Sequence, residues 1–161
     1  MIDGYVVGTE SVIRRFDSMP GKLRVQLKIA ITRLAIKLQR YVKSDKLSGQ
    51  VLNVRTGTLR RSIDQVVVDQ GDRIIGKVST NVGYGKRHEY GFTGAETVEA
   101  HMREIKKAWG RSITPRQVQI REHTRTVNLP ERSFLRSALR DFAETGVIKT
   151  ELEAAVKKAV K

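Results

Sequence analysis

Histidine and glutamate are the side chains of this sequence best suited to acid–base or metal chemistry. Each of the three histidines has a glutamate nearby: His88 with Glu89, His101 with Glu99, and His123 with Glu122. Three imidazoles could ligate zinc, but no pair has the His-Glu-x-x-His spacing that places two ligands on one side of a helix. In AHMREI (100–105) and EHTRTV (122–127), histidine and arginine are two residues apart, a spacing that places both side chains on the same face of a strand. We therefore expect no metal site.

Motifs for nucleophilic catalysis and phosphate binding are weak or missing. The sequence contains no Gly-x-Ser-x-Gly elbow and no cysteine, which excludes thiolate nucleophiles, disulfides and zinc sites built on sulfur. GYGKRHEYG (83–91) has a single Gly-x-Gly without the third glycine of a dinucleotide motif. Its glycines are better explained by tight turns around Tyr84 and Tyr90. We therefore expect no enzyme activity and no cofactor.

The strongest compositional feature is positive charge. The 161 residues include 31 Lys and Arg against 17 acidic residues, a formal charge of +14. Residues 101–140 alone carry ten basic residues against three acids. Nucleic acid, an acidic protein surface and an anionic membrane are all partners that such a charge attracts. No stretch reaches the ~18 apolar residues of a membrane span, and the N-terminus lacks an export signal, so we expect a soluble protein without a membrane partner.

Helical periodicity dominates the first third of the chain. A short helix is predicted at residues 10–18, and a long one from Leu23 to about Lys46. The long helix has an apolar stripe at spacings of three and four: Leu23, Leu27, Ile31, Leu34, Leu38 and Tyr41. A second apolar set consists of Val25, Ile29 and Ile36. This set either packs in the core or is buried against a neighbouring subunit.

Two antiparallel hairpins are predicted after this helix. TGTLRRSI (56–63) indicates a capped helical turn that leads into a strand, and β-branched runs joined through DQGD then form the first hairpin. A second, longer hairpin is predicted at about 96–127, with a basic tip at KKAWGRSITPRQ that projects from the domain. The basic residues of this arm are Arg103, Lys106, Lys107, Arg111 and Arg116.

The C-terminal part is predicted to be helical. Pro130 suits the first turn of a helix, Gly146 ends that helix, and a last amphipathic helix follows. The sequence thus predicts an α+β fold in a single domain, 1–161. It comprises a long N-terminal helix packed on an antiparallel sheet, the projecting hairpin arm at about 96–127, and C-terminal helices.

Arginines recur in NLPERSFLRSAL and just after it, at Arg132, Arg136 and Arg140. A helix that reads DNA bases normally combines arginine with Asn and Gln on one exposed face, which this helix lacks. Arginine alone suits phosphates or carboxylates. We therefore expect Phe134 and Leu135 to anchor the helix on the sheet, and the arginines to face a neighbour.

Three stretches, in this order after the long helix, together resemble one protein family. They are RTGTLRRSI (55–63), YGKRHEYGF (84–92) and LPERSFLRSAL (129–139). The set is similar to the neck or tail-completion morphogenesis proteins of long-tailed bacteriophages, the minor tail protein Z-like group. The resemblance spans most of residues 20–145, and the basic arm at 96–127 is an insertion relative to shorter members.

The resemblance assigns structural or interface roles to ten residues and no catalytic role to any. It implies that a Thr-Gly-x-Leu turn opens the sheet, that Glu-Tyr-Gly ends a strand, and that Pro-x-Arg-x-Phe-Leu begins the C-terminal helix. The matching residues are Thr56, Gly57 and Leu59; Glu89, Tyr90 and Gly91; and Pro130, Arg132, Phe134 and Leu135.

The function that the resemblance implies is structural. Subunits would form a homo-oligomeric ring, a hexamer or alternatively a twelvefold ring, at the head-proximal end of the tail. The ring would complete the tail and join it to the head connector around the DNA channel. Expected partners are the tail tube or tail terminator, the head connector and, non-specifically, DNA; the expected location is the virion, with the host cytoplasm during assembly. The alternative is a basic, sequence-independent nucleic-acid-binding protein.

Overall fold

The computed structural model describes residues 21–159 and has an α+β fold, as predicted. The predicted helix at 10–18 lies outside the described residues, as does Val160 at the end of the last predicted helix. Contacts divide the described chain into two compact units, residues 21–91 with 131–159, and Phe92–Pro130. The predicted arm at 96–127 lies within the second unit.

The first unit is built on helix α1, Gly21–Tyr41, which continues into a π-helical segment, Val42–Gln50. Helical backbone geometry ends at Leu47, close to the predicted end near Lys46, because Ser48 and Gly49 leave the helical region with φ values of −123° and 126°. The carbonyl of Lys46 then accepts hydrogen bonds from the backbone N–H groups of Val51 and Leu52, which closes the helix end.

A short helix and an antiparallel hairpin follow. Helix α2, Thr58–Ser62, leads directly into strand β1, Ile63–Asp69, and strand β2, Ile74–Thr80, pairs with β1. Both features were predicted from the sequence. Gly76 lies so close to α1 that a Cβ on it would come within 2.9 Å of Ile31 Cγ2, so the missing side chain lets β2 pack against the helix.

Helix α3 comprises Gly83–Tyr90, where the sequence suggested tight turns and the resemblance implied the end of a strand. Both expectations for this segment were wrong. Glycine is a poor helix former, so intrinsic propensity does not favour this helix. The end of this helix is indicated by Gly91, because its φ of 74° is a conformation that only glycine adopts without strain.

Two helices complete the first unit: α4, Leu135–Glu144, and α5, Val147–Ala159. Gly146 separates them with a φ of 71°, as predicted. The prediction that Pro130 opens the first helix was wrong, because α4 begins at Leu135 and Pro130 lies in the preceding coil. The start of α4 is set by hydrogen bonds to Glu89, described below.

The core of the first unit has two clusters of buried side chains. The larger consists of Val42, Leu47, Ile63, Val78, Phe134, Leu135 and Ala138, and the smaller of Leu27, Ala30 and Ala155. The larger cluster joins the π-helical segment, the hairpin and α4, and the smaller joins α1 to α5. Phe134 is fully buried in the same cluster as Ile63 of β1 and Val78 of β2, so it anchors α4 on the sheet as predicted.

The second unit is a long hairpin made of two ladders. Strand β3, Phe92–Val98, pairs with β6, His123–Leu129, and strand β4, His101–Ala108, pairs with β5, Arg111–Ile120. The predicted tip was too long, because a two-residue turn at Trp109 and Gly110 connects β4 to β5. Pro115 therefore lies within a strand, which is possible because each strand of a two-stranded ladder has a free edge.

Candidate functional site

The Glu89 carboxylate lies at the N-terminus of α4 and is completely buried. It accepts hydrogen bonds from Ser133 Oγ at 2.7 Å and from the backbone N–H groups of Phe134 at 2.8 Å, Leu135 at 2.9 Å and Arg136 at 2.9 Å. These N–H groups have no partner inside the helix, and a negative charge at this end interacts favourably with the helix dipole. We call this arrangement, Glu89 with residues 133–136, the Glu89 junction.

Arg136 completes the charge balance of the Glu89 junction. Its Nε lies 3.2 Å from Glu89 Oε1, and its terminal nitrogen donates to the Glu89 carbonyl at 2.9 Å and to Glu131 Oε1 at 2.8 Å. The guanidinium also lies over the Tyr90 ring, 4.5 Å from its centroid, in a cation–π contact. The prediction that this arginine faces a neighbour was therefore wrong, because its donors bind acceptors within the chain.

The geometry of the junction argues against acid–base catalysis by Glu89. A carboxylate has about four lone-pair sites, and five donors occupy the two oxygens of Glu89. No acceptor site remains for a substrate proton, and the group has no contact with solvent. Glu89 therefore acts as a structural anion that fixes where α4 begins.

His88 lies beside the junction and has a lowered pKa. Burial lowers the pKa of His88 below its usual value, and the positive charge of Arg132 lowers it further. The backbone of His88 also has a structural role, since its carbonyl accepts a hydrogen bond from the Arg132 N–H at 2.7 Å. The two segments of the resemblance that contain Glu89 and Phe134 are thus joined by backbone as well as side-chain contacts.

The third segment of the resemblance, at Thr56–Gly57–Leu59, forms the start of α2. Gly57 has a φ of 74°, and its carbonyl accepts a hydrogen bond from the Arg61 N–H at 2.9 Å. Thr56 Oγ1 lies 3.0 Å from Thr58 Oγ1 at the same turn. Leu59 packs against the larger core cluster, which also contains Phe134 and Leu135. Residues from all three segments therefore meet in one part of the first unit.

A second charged group, which was not predicted from the sequence, joins Asp141 of α4 to Lys46 of the π-helical segment. Lys46 is only 4% exposed, and its Nζ donates to Asp141 Oδ2 at 2.6 Å, while the Tyr41 hydroxyl donates to the same oxygen at 3.2 Å. The hydrogen bond from Lys46 is the main cause that lowers the pKa of Asp141 below its usual value. A signal was available, because Lys46 continues the four-residue spacing of Leu38 and Val42.

In the second unit, the β4–β5 ladder at residues 101–120 carries the predicted basic arm residues, and we call it the basic ribbon. Lys106 forms an ion pair with Glu104 at 2.8 Å. Within the described part of the chain, the other four cations form no ion pair: Arg103, Lys107, Arg111 and Arg116. The ribbon is therefore a surface whose positive charges are available to an external partner.

The two other histidines stand at matching positions at the joint between the ladders. Nδ1 of His101 lies 2.9 Å from the carbonyl of Glu99, and Nδ1 of His123 lies 2.9 Å from the carbonyl of Arg121. Each histidine is the first residue of its strand and contacts the carbonyl two residues earlier. The repeated His-x-Arg pattern therefore reflects two equivalent strand starts.

The described residues contain no group of three His, Cys, Asp or Glu side chains placed to hold a metal ion. None of the helices between residues 21 and 159 is long and apolar enough to cross a membrane. Comparison with known proteins gives no match: no family model, no curated protein and no solved structure is significantly similar to the chain.

Proposed function

We propose that the chain is a structural virion protein that forms a ring at the head-proximal end of a phage tail. The ring completes the tail and joins it to the head connector around the DNA channel. Its partners are further copies of the chain, the tail tube or tail terminator, and the head connector. In this proposal the chain has no catalytic activity and is found in the virion, after assembly in the host cytoplasm.

The observation that carries the proposal is the convergence of the three resembling segments. Leu59 and Phe134 pack in one core, and Glu89 binds the backbone at Phe134 and Leu135. These residues are far apart in the sequence, and their side chains are used in folding contacts. This supports the structural roles that the resemblance implies for them.

An exposed apolar strip on α1 supports self-association. Of the second apolar set, Val25 is 56% exposed and Ile29 is 40% exposed, whereas Ile36 is partly buried. Ile29 also lines a shallow groove between α1 and α5, where Ala154 forms part of the other wall. Apolar side chains in such a position are suited to contact with a neighbouring subunit.

Charge works against assembly in the absence of a partner. Each copy brings a formal charge of +14, and like charges repel within a Debye length of about 10 Å at 0.1 M salt. In this proposal the purified chain is therefore mainly monomeric at low salt, and the ring forms on an acidic template, the tail end or the head connector.

Sedimentation velocity of the purified chain from about 0.05 to 0.5 M salt tests this template dependence. We expect a monomer in the lowest salt and growing association as salt screens the charges. A stable closed ring at micromolar concentration in the lowest salt would contradict template dependence.

The structural role itself requires a separate test on particles. Immunogold labelling of virions produced from the genome that encodes the chain should place the chain at the head–tail junction. A strain with the gene deleted should accumulate heads and tails that fail to join. If particles lack the chain, or if infectious virions form without it, the proposed function is wrong.

A further inference from the structure

The turn at the tip of the basic ribbon holds an unusual residue. Trp109 and Gly110 connect β4 to β5, with φ values of 49° and 77°. Two-residue turns with both φ values positive favour Asn-Gly or Asp-Gly, because a bulky side chain is strained in the left-handed region. The Trp109 side chain is also 98% exposed, so contacts within the chain do not offset the strain. Strain of this kind is typical of functional positions.

Two cations of the ribbon, Arg103 and Arg116, lie on one of its faces. In an antiparallel ladder, directly paired residues share a face, and here the pairs Arg103 with Val118 and Ile105 with Arg116 lie on the same face. The one acid of the ribbon, Glu104, lies on the opposite face, paired across the strands with Gln117. The face with Arg103 and Arg116 therefore presents positive charge without an acidic neighbour of its own.

We propose that the basic ribbon binds duplex DNA, with the cations on phosphates and the Trp109 indole inserted between base steps. The two strands lie about 5 Å apart, and the major groove of B-DNA, about 12 Å wide, admits a two-stranded ribbon of this kind. From Arg103 to Trp109 the ribbon extends about 20 Å, the length of about six base pairs. This inference does not depend on ring formation, because it concerns a surface of the single chain.

Duplex DNA fits these features better than an acidic protein does. Carboxylates on a protein could pair with the cations, but the exposed indole of Trp109 needs a flat apolar partner as well. Duplex DNA supplies both, because its phosphates carry the negative charge and an aromatic side chain can contact base faces by inserting between base steps. Apolar side chains at the tip of a DNA-binding element also insert between base steps and widen the contact.

Binding at this site is independent of sequence. Gln117 and Gln119 are the ribbon side chains best suited to base-edge hydrogen bonds, and both lie on the face opposite Arg103 and Arg116. Contacts to phosphates position a protein on the duplex but carry no sequence information. Duplexes of unrelated sequence should therefore bind with equal affinity.

Intrinsic fluorescence tests the proposal directly, because Trp109 is the single tryptophan of the chain. Titration of the purified full-length chain with 20-base-pair duplexes of two unrelated sequences should quench the emission to saturation, with superimposable curves. Poly-glutamate at the same charge concentration serves as the acidic-protein probe and should leave the emission nearly unchanged. Equal quenching by poly-glutamate and duplex would overturn the proposal in favour of an acidic protein partner.

Substitutions at the tip separate stacking from charge. Trp109→Ala should weaken duplex binding about tenfold, within the range for base–aromatic stacking, without changing its salt dependence. Trp109→Phe keeps an aromatic ring and should stay within about threefold of the unchanged chain. Affinities are measured by anisotropy of a labelled duplex, and circular dichroism confirms folding. If Trp109→Ala binds as tightly as Trp109→Phe, the stacking role is wrong.

A charge variant tests the cationic face. Arg103→Gln with Arg116→Gln should reduce the slope of log affinity against log salt by about two, since each neutralised phosphate contributes about 0.9. The matched control is Lys157→Gln with Lys158→Gln, which removes the same charge from the end of α5. The control should change the slope by less than half as much. Equal effects of the two double variants would overturn the assignment of DNA binding to the ribbon.

Discussion

At the Glu89 junction a charged side chain is fully buried, and five donors contact its two oxygens. On the basic ribbon, in contrast, Arg103 and Arg116 are exposed and form no ion pair with the described residues. The junction lies between two helices that depend on its contacts. The ribbon ends at Trp109, whose positive φ is unfavourable for a bulky side chain in a two-residue turn. Charge thus stabilises the fold in the first region and remains available for binding in the second.

The difference indicates where substitutions should affect folding and where they should affect binding. Removing a charge from the junction leaves buried polar groups without partners, which is costly. Removing a charge from the ribbon leaves exposed groups that water solvates, which costs little. Stability measurements and binding measurements should therefore separate the two regions cleanly.

The largest expected effect is that of Glu89→Gln. An amide has the shape of the carboxylate but only one accepting oxygen, so several donors at the start of α4 lose their partner. We expect the free energy of unfolding to fall by about 3 to 5 kcal/mol, measured by urea unfolding followed by helix circular dichroism. Glu144→Gln, at the exposed end of the same helix, is the control and should change stability by less than about 0.5 kcal/mol. A loss below about 1 kcal/mol for Glu89→Gln would show that the junction does not hold α4.

Arg136→Gln should have the next largest effect. Its guanidinium bonds to Glu89 and Glu131 are charge-assisted, but the side chain is 49% exposed, so water recovers part of the loss. We expect a loss of about 1 to 2 kcal/mol in the same unfolding experiment. Arg140→Gln, one turn later on α4 and 73% exposed, should be nearly neutral. Equal effects at the two positions would mean that Arg136 contributes only general charge.

The Lys46–Asp141 pair predicts how stability depends on pH. The pKa of Asp141 lies below its usual 3.8, chiefly because Lys46 donates a hydrogen bond to the carboxylate. A group with a depressed pKa stabilises the fold above its unfolded value, and this contribution disappears as pH falls through the folded-state pKa. Asp141→Asn should therefore be less stable than the unchanged chain at pH 7, and the difference should shrink below about pH 4.

The control for this pH dependence is Asp72→Asn. Asp72 contacts the neighbouring Arg73 in an exposed ion pair, so its replacement should have a small effect at every pH. Thermal unfolding across the pH range measures both variants against the unchanged chain. A difference for Asp141→Asn that stays constant down to pH 2 would mean that the carboxylate charge does not contribute to stability.

Patterns within single segments of the sequence predicted the parts of the fold that depend on interactions between residues close together in the chain. The β1–β2 hairpin follows from β-branched runs around a glycine turn, and the break at Gly146 follows from its place after an apolar stripe. Helix α3 and the start of α4 were missed because they depend on each other through Glu89, a contact between residues 44 to 47 positions apart. A pattern within one segment carries no information about such a contact.

The candidate site shows the same division. The sequence indicated the positive charge of the ribbon and the buried role of Phe134, since composition and apolar spacing reveal both. It did not indicate that the half-exposed Arg136 guanidinium binds acceptors of its own chain, because an arginine on a helix has the same pattern whether its partner is internal or external. It also placed Trp109 in a long tip, since a tryptophan in a two-residue turn contradicts turn propensity.

The smallest expected effect is a gain in stability at the ribbon tip, from Trp109→Asn. Asparagine adopts the left-handed conformation readily, so Asn-Gly should suit the turn better and stabilise the ribbon by about 0.5 to 1 kcal/mol. Hydrogen exchange of the β4 and β5 amides should then slow about two- to fivefold. Thr114→Asn, an exposed position within β5, is the control and should speed exchange, because asparagine is unfavourable in strands.

Duplex binding should weaken in the Trp109 variant while the ribbon becomes more stable. A gain in stability together with weaker binding would mean that Trp109 is retained for contact with a partner. Glu89 differs, because its contacts within the fold explain why it is present. If Trp109→Asn instead accelerates exchange, the indole stabilises the turn, and the contrast between the two regions fails at its most exposed residue.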